Sequence, residues 1–169
     1  MSASRGPLTV ELHGDKAAGR VALIDPEDLS LVGGYRWFVW EYPERSWGPY
    51  PVTHIGRGRG VPTRLMHQVL TGFQLCDHVN RDGLDNQRHN LREATRQQNL
   101  YNQSGRKNST SQYKGVSRKR NRWRARITID GKQFQLGSFT DEVDAAIAYD
   151  LAAQAAFGEY AFVNLPEIA

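Results

Sequence analysis

The sequence predicts an α+β protein with a β-rich N-terminal region and, at its C-terminal end, a three-stranded antiparallel sheet packed on one α-helix. Three observations lead to this fold class. Short apolar runs broken by Gly and Pro fill residues 8–63, a pattern typical of strands and turns. Apolar and polar side chains alternate over residues 122–128, which is the period of a half-buried strand. An alanine-rich segment at 144–156 indicates a helix that can lie close to a sheet.

Composition limits the class of protein. The chain has 169 residues, of which 39% are hydrophobic, enough for one ordinary domain or two small ones. Residues 1–19 lack the apolar run of a signal peptide, and no stretch approaches the roughly 20 apolar residues of a membrane span. We therefore expect a soluble, cytoplasmic protein without a membrane partner. Cys76 is the single cysteine, so an internal disulfide is excluded and a buried, unreactive thiol is expected.

The charge distribution is more informative than the net charge of +4. Residues 104–137 contain ten Lys or Arg and one acidic residue, whereas residues 138–169 contain six acidic residues and no Lys or Arg. Such a division would present one cationic face to a polyanion and turn an acidic face away. Nucleic acid is the partner that this pattern favours.

The N-terminal region is expected to form strands at residues 21–24, 35–40 and 50–55. Trp37, Trp40 and Trp47 are predicted to build its core, with an aromatic binding platform as the alternative. The basic loop at residues 56–60 fits a phosphate contact or an ordinary hairpin tip. No residue of this region identifies a chemistry.

A short helix is predicted at residues 63–70, because Leu65, Met66, Val69 and Leu70 recur at helical spacing and Gly72 can end it. The same segment contains His67. We expect this histidine to be a packed or surface residue rather than a metal ligand.

The next segment contains the residues that suggest chemistry. Asp77-His78 follows a short apolar stub, and a turn-rich loop, Asn-Arg-Asp-Gly-Leu-Asp-Asn, covers residues 80–86. Arg-His-Asn-Leu-Arg follows at 88–92, then a polar helix from Glu93 that includes Asn99. Over residues 65–103 this order resembles the HNH nuclease motif, a ββα-metal fold in which a hairpin and a helix hold one divalent ion.

The resemblance implies a role for each matching residue. Hydrolysis of a phosphodiester needs a deprotonated water and positive charge near the phosphate oxygens. His78 is the candidate general base, since histidine accepts a proton near neutral pH. Asp77 and Asn99 supply the oxygen ligands that Mg²⁺ or Mn²⁺ prefers. Asn90, the middle residue of the motif, is expected to hold the loop and orient His78 by hydrogen bonds.

The sequence departs from the motif at its third position, which is Asn99 rather than histidine. An oxygen-ligated, weaker metal site is therefore expected, with His89 and Asn86 as less favoured ligands. A structural zinc site fits poorly, because Cys76 is alone and the histidines at 67, 78 and 89 form no close helical pair. Taken singly, each Asp or Asn of the loop would be assigned to a turn.

The predicted domain organisation follows from these segments. Residues 1–103 form the N-terminal strands and the HNH nuclease domain, with the motif core at 65–103. Residues 104–112 are polar, lack large apolar side chains and are predicted to be a linker. Residues 113–169 form the sheet-and-helix domain.

The C-terminal domain is expected to contain strands at 113–117, 122–129 and 132–136, with Asp130-Gly131 as a hairpin turn. Thr140 is predicted to cap the helix that follows, and Gly158 to end it. Along the second strand Arg122, Arg124, Arg126 and Thr128 point to one side, and Trp123, Ala125 and Ile127 to the other. Gln133 and Gln135 are expected beside the arginines. Arg and Gln suit base edges in the major groove, where a two-stranded ribbon fits.

Residues 111–166 also resemble the plant ethylene-response-factor DNA-binding domain of the Apetala type. The matching pieces are Tyr-Lys-Gly-Val at 113–116, Trp123, Leu-Gly-Ser-Phe at 136–139, Ala-Tyr-Asp at 148–150 and Asn-Leu-Pro at 164–166. The resemblance implies that the sheet, and not the helix, enters the major groove. Ser117 replaces an arginine of the family, so base-by-base specificity is not carried over.

An HNH site joined to such a domain resembles homing endonucleases of mobile elements. The sequence thus predicts a metal-dependent endonuclease that recognises double-stranded DNA and requires no protein partner. Lys114, Arg118, Lys119 and Arg120 are assigned to the phosphates of the bound DNA. The rival hypothesis is a noncatalytic DNA-binding transcriptional regulator in which the HNH unit is only a scaffold.

Overall fold

The computed structural model describes residues 6–41, 48–56, 61–105 and 108–167. The chain divides into two compact units, Met1–Arg96 and Gln97–Ala169, so the predicted linker at 104–112 falls inside the second unit. The described part is a mixed α and β structure with several small antiparallel sheets. None of its helices is long and apolar enough to cross a membrane.

The first unit contains seven short strands, two short α-helices and two 3-10 turns in its described part. The strands are β1 (Leu8–Glu11), β2 (Val21–Ile24), β3 (Phe38–Trp40), β4 (Tyr50–His54), β5 (Thr63–Leu65), β6 (Cys76–His78) and β7 (Leu91–Glu93). The helices are α1 (Leu29–Val32) and α2 (Met66–Thr71). β1 pairs with β2, β4 lies between β3 and β5, and β6 pairs with β7, all antiparallel. The predicted β-rich N-terminal region is confirmed.

The core of the first unit forms around Trp37, which is 1% exposed and donates its indole N–H to the carbonyl of Val32 at 3.0 Å. The prediction that Trp40 belongs to the core is wrong, because Trp40 is 41% exposed. Val39 faces the core from β3, and adjacent residues of a strand point to opposite faces. Trp47 and most of the basic loop at 56–60 lie outside the described residues.

The helix predicted from residue 63 begins three residues later. Thr63, Arg64 and Leu65 pair with β4 as strand β5, so pairing with a neighbouring strand overrides the helical spacing of the local sequence. α2 then runs to Thr71, and Gly72 ends it in the left-handed conformation, with φ +76°. This is the stop that the sequence predicts.

The second unit contains a three-stranded antiparallel sheet and a long helix. Its elements are α3 (Arg96–Asn102, which starts at the unit boundary), β8 (Val116–Lys119), β9 (Arg122–Ile129), β10 (Lys132–Phe139) and α4 (Glu142–Phe157). The strand order is β10-β9-β8. Asp130 and Gly131 both have positive φ, 49° and 76°, as a two-residue hairpin turn requires. The predicted sheet and its Asp-Gly hairpin are confirmed.

Three boundaries differ from the predictions. β10 runs three residues beyond its predicted end, to Phe139. β8 starts at Val116 rather than at residue 113, because Gly115 has a φ of +77° and forms a turn before the strand. The cap of α4 is Asp141, whose carboxylate accepts the N–H of Val143 at 2.7 Å, and not Thr140. Asp141 has the extended backbone of an N-cap, and a carboxylate also favours the positive end of the helix dipole.

Small side chains let α4 lie close to the sheet. Ala145, Ala146 and Ala153 are fully buried, and they pack with Ala125 and Ile127 of β9. The C-terminal segment is fastened to α4 by Asp150, a buried carboxylate that accepts N–H groups of Asn164 and Leu165 at 2.8–2.9 Å. The apolar underside of the sheet is thus covered, and its other side is left for the arginines.

Candidate active site and nucleic-acid interface

Asp77 and His78 lie on β6 and are 7% and 5% exposed. β6 pairs with β7 in the register Asp77↔Arg92 and His78↔Leu91. Nε and Nη2 of Arg92 donate to the same oxygen of Asp77, Oδ2, at 2.9 and 2.6 Å. A buried carboxylate needs such compensation. Sequence reasoning missed Arg92, although its cross-strand position becomes evident once the hairpin is paired.

The imidazole of His78 is held in a desolvated environment beside acidic groups. Burial lowers its pKa below the ordinary value, because it disfavours the charged ring. The shift is opposed by the Asn86 side chain and by the negative charge of three carboxylates, those of Asp77, Asp85 and Asp82. At pH 7 the ring is therefore neutral and able to accept a proton.

Asn90 connects the two ends of the loop that follows His78. Its side-chain amide donates to the carbonyl of Asp85 at 2.7 Å, and its Oδ1 accepts the backbone N–H of Asn80 at 2.8 Å. The backbone carbonyl of Asn90 accepts the N–H of Val79, the residue after His78, at 2.9 Å. These are the contacts that a loop-holding role requires.

Other Asp and Asn side chains of the loop form turns. Asn80 Oδ1 accepts the N–H of Asp82, and Asp82 Oδ1 accepts the N–H of Leu84, both at 2.9 Å, as in Asx turns. Asn86 is fully buried and donates to the carbonyl of Gly83 at 3.2 Å, whereas His89 is exposed. The expectation that a single Asp or Asn of the loop forms a turn is therefore confirmed for Asn80 and Asp82.

The N-terminal strands fix this loop from outside. The N–H of Leu23 in β2 donates to the carbonyl of Leu84, and the carbonyl of Leu23 accepts the N–H of Asn86, both at 2.8 Å. Further along, the guanidinium of Arg88 contacts both oxygens of the buried Asp28 at 2.6–3.0 Å. Residues that carry no chemistry of their own therefore position the segment between His78 and Asn90.

Two aromatic side chains surround His78. The ring of His67, from α2, lies 5.2 Å from that of His78 at an interplanar angle of 75°. The ring of Tyr50, from β4, lies 5.6 Å from His78 and 5.9 Å from His67. Burial, followed by the charge of a protonated His78, lowers the pKa of His67 to about 3. The sequence analysis expected His67 to be either packed or on the surface, and His67 is packed. Its contact with His78 was not predicted.

Gly83 is the point at which the loop touches Tyr50. A Cβ at this position would lie 2.5 Å from the carbonyl oxygen of Pro49 and 2.5 Å from two ring carbons of Tyr50. Gly83→Ala is therefore expected to lower the free energy of unfolding by about 1–3 kcal/mol, as other overpacked sites do. Urea denaturation measures this change.

The matched control is Gly34→Ala, since a Cβ at Gly34 meets nothing within 4 Å. It should change stability by less than about 0.5 kcal/mol. Equal effects of the two substitutions would contradict the close packing of Gly83 against Tyr50.

The donor set fits a hard divalent cation better than zinc. Asp77 offers a carboxylate, and a carboxylate with an amide oxygen suits Mg²⁺ or Mn²⁺. In the part of the chain that the structure describes, no group of three or more His, Cys, Asp or Glu side chains is arranged to hold a metal ion. Asn99 lies on α3 in the second unit, so its role as the second ligand stays a prediction.

One face of the sheet in the second unit carries the predicted DNA-reading side chains. Ala125 and Ile127 of β9 are buried, which turns Arg124, Arg126 and Thr128 to the opposite side. Direct partners across an antiparallel pair share a face, and the register pairs Arg126 with Gln135 and Thr128 with Gln133. Nη1 of Arg126 donates to Oε1 of Gln133 at 3.0 Å. Arg and Gln therefore lie side by side.

The side chains assigned to phosphates have different surroundings. Lys119 pairs with Arg122, but Arg118 pairs with Trp123 and lies 5.3 Å from its ring. Arg118 thus belongs to the side of the sheet that faces α4. Nζ of Lys114 donates to the backbone carbonyls of residues 100 and 101 at 3.2 and 2.6 Å. Lys114 would have to leave these carbonyls to reach a phosphate.

A cationic cavity of about 510 Å³ opens at the turn between β8 and β9. It is lined by Lys119, Arg120, Asn121, Arg122, Arg124 and Ser138. Arg122 also donates from Nη2 to the carbonyl of Ser138 at 2.6 Å. Four cationic side chains around one concave surface are suited to an anionic ligand.

Comparison with known proteins gives two similarities. The chain is 28% identical over 154 residues to a protein named an uncharacterized HNH endonuclease from Acanthamoeba polyphaga mimivirus; the match covers 88% of this chain and 77% of the viral protein. It is also 42% identical over 67 residues to dehydration-responsive element-binding protein 2C of Arabidopsis thaliana. That match covers 38% of this chain and 20% of the plant protein. No protein-family model and no solved structure matches the chain.

Proposed function

We propose that this protein is a sequence-recognising DNA endonuclease that hydrolyses phosphodiester bonds with one divalent metal ion, as homing endonucleases do. The observation that carries the proposal is the buried imidazole of His78, which follows Asp77 on β6 and precedes a loop that Asn90 holds together. The similarity to a protein named an HNH endonuclease, over most of the chain, supports this assignment.

Each residue of the candidate active site is given one task. His78 accepts the proton of the attacking water, because its neutral ring is available near pH 7. Asp77 and Asn99 would hold the metal ion, and Arg92 keeps the carboxylate of Asp77 in place. When bound, Mg²⁺ or Mn²⁺ supplies positive charge to the phosphate oxygens. Asn90 positions the chain around His78 and does not need to touch the substrate.

The second unit is assigned to recognition of double-stranded DNA. Its open sheet face combines guanidinium and amide side chains, which suit the base edges of the major groove. The cavity near Arg120 and Arg122 would take backbone phosphates, which position a protein on the duplex without specifying sequence. The 42% identity over 67 residues to a plant protein named a dehydration-responsive element-binding protein supports binding to DNA.

Cleavage of supercoiled plasmid tests the proposal directly. Nicked or linear product should form with Mg²⁺ or Mn²⁺ and should be abolished by a chelator. Selection of cleaved sites from a random DNA library would then identify the target sequence. Absence of any metal-dependent product, with a preparation that binds DNA, would refute the endonuclease assignment.

The second candidate function is a noncatalytic DNA-binding regulator. It is favoured by one observation, the higher identity of the shorter match to the plant element-binding protein, 42% against 28% for the longer match. A regulator would bind a specific sequence and leave the plasmid intact under every metal condition. The same plasmid assay therefore separates the two functions.

Replacement of Arg124 by alanine is expected to weaken specific DNA binding by about 1–3 kcal/mol, because a base-edge contact is lost. Gel-shift titration at fixed salt concentration measures the effect. Gln154→Ala, on the exposed side of α4, is the control and should bind like the parent protein. Unchanged affinity of the Arg124 variant would count against the sheet as the DNA-reading surface.

A further inference from the structure

The function proposed above leaves one buried histidine without a task. His67 is 5% exposed, and its ring lies edge-to-face at 5.2 Å from the ring of His78. α2 thus brings a second imidazole to the candidate general base from a different part of the chain. A histidine at this place can act as an acid or base, as a hydrogen-bonding partner or as a packing surface.

The first two tasks do not fit the surroundings of His67. With a pKa of about 3, its ring stays neutral throughout the range in which a nuclease works and gains no proton there. Among the described residues, none hydrogen-bonds to its buried Nδ1. A proton therefore has no hydrogen-bonded path through this nitrogen among the described residues, and the property of His67 that its neighbours contact is its flat ring.

The shape of the ring is used on two sides. Tyr50 packs against His67 at 5.9 Å, with an interplanar angle of 82°, and against His78 at 5.6 Å. The loop approaches Tyr50 so closely at Gly83 that no Cβ fits there. Three rings in mutual contact leave each of them little room to rotate, because protein interiors are close-packed.

We infer that His67 is a positioning residue, which acts with Tyr50 as a wall that fixes the ring plane of His78. The inference rests on the proposed nuclease function, in which the ring of His78 must point at one water molecule. A base that can rotate away from the attacking water is present but badly oriented, and small misplacements of this kind reduce the rate of chemistry. Substrate binding does not depend on the wall.

The test compares two substitutions that both remove the imidazole nitrogens. His67→Leu keeps a large apolar side chain but loses the flat ring, and it should lower kcat roughly ten- to a hundredfold with KM unchanged. His67→Phe restores a flat ring and should return kcat to within about threefold of the parent. Parent-like kcat in the Leu variant, or a Phe variant as slow as the Leu variant, would overturn the inference.

Loss of stability is separated from loss of orientation by Leu70→Ala. Leu70 is a buried core residue of the same helix and makes none of the ring contacts described above. This variant should be less stable but should retain the parent kcat per folded molecule. Leu70→Ala is also compared with His67→Leu at equal stability: an equal loss of kcat in both variants would show that reduced stability of the fold, and not loss of the wall, causes the effect.

A second measurement does not require cleavage. In nuclear magnetic resonance spectra, the His78 ring protons should show strong contacts to Tyr50 in the parent and the Phe variant, and averaged, weaker contacts in the Leu variant. Identical spectra in all three proteins would refute the wall. A parent that never cleaves DNA but shows the restrained ring would instead refute only the nuclease function.

Discussion

Replacing His78 by alanine is expected to reduce metal-dependent DNA cleavage by about 100- to 10,000-fold, the usual contribution of a general base. DNA binding should persist, because the predicted reading surface lies on β9 and β10 of the other unit. The ring of His78 is buried, and the other buried histidine of the described residues, His67, has a pKa of about 3 and is too weak a base to replace it. Plasmid nicking and gel-shift titration, performed on one preparation, measure both effects.

His54→Ala is the control for this experiment, since His54 is an exposed residue of β4. It should cleave at the rate of the parent. A His78 variant that cleaves as well as the parent would remove the base from the mechanism. A variant that neither binds nor cleaves would show instead that His78 maintains the fold, and circular dichroism would reveal that loss.

The elements that the sequence predicted well are those determined by local chemistry. β9 runs from Arg122 to Ile129 as expected, because alternation of side chains and an Asp-Gly turn are properties of neighbouring residues. The cap of α4 was misplaced by one residue. Thr140 and Asp141 are both good caps, and the backbone conformation that selects between them depends on how β10 ends.

The errors in the first unit have a different origin. Residues 63–65 were included in a helix because apolar groups recur at helical spacing from Leu65 onward, but they form a strand, because β4 offers them hydrogen bonds. Trp40 was assigned to the core from its residue type alone, and the face of β3 that reaches the core was set by Val39. In both cases, partners distant in sequence decide the outcome.

The candidate site shows the same limit. Asp77, His78 and Asn90 could be selected from their order, since a motif keeps its residues within a short segment. Arg92 was next to that segment, yet its task depends on the register of β6 and β7. Tyr50 and His67 come from β4 and α2, and no periodicity in the sequence indicates that their rings meet His78. The second metal ligand, Asn99, remains a prediction for a similar reason.

Gly115→Ala is expected to destabilise the second unit by about 2–5 kcal/mol, which combines overpacking with the cost of the left-handed backbone. Gly115 has a φ of +77°, and an added Cβ would collide with the ring of Tyr149 and lie 2.7 Å from the carbonyl oxygen of Arg126. Neither neighbour can move easily. Tyr149 is 3% exposed in the core, and the carbonyl is part of the backbone of β9, the central strand of the sheet.

Gly131→Ala separates the two contributions to this loss. Gly131 has nearly the same backbone conformation, with a φ of +76°, but a Cβ there meets nothing within 4 Å. It should therefore lose only about 1–2 kcal/mol, the cost of the left-handed conformation. Thermal and urea denaturation of both variants measure the difference. Equal losses would mean that Tyr149 and the Arg126 carbonyl leave room for a Cβ at Gly115.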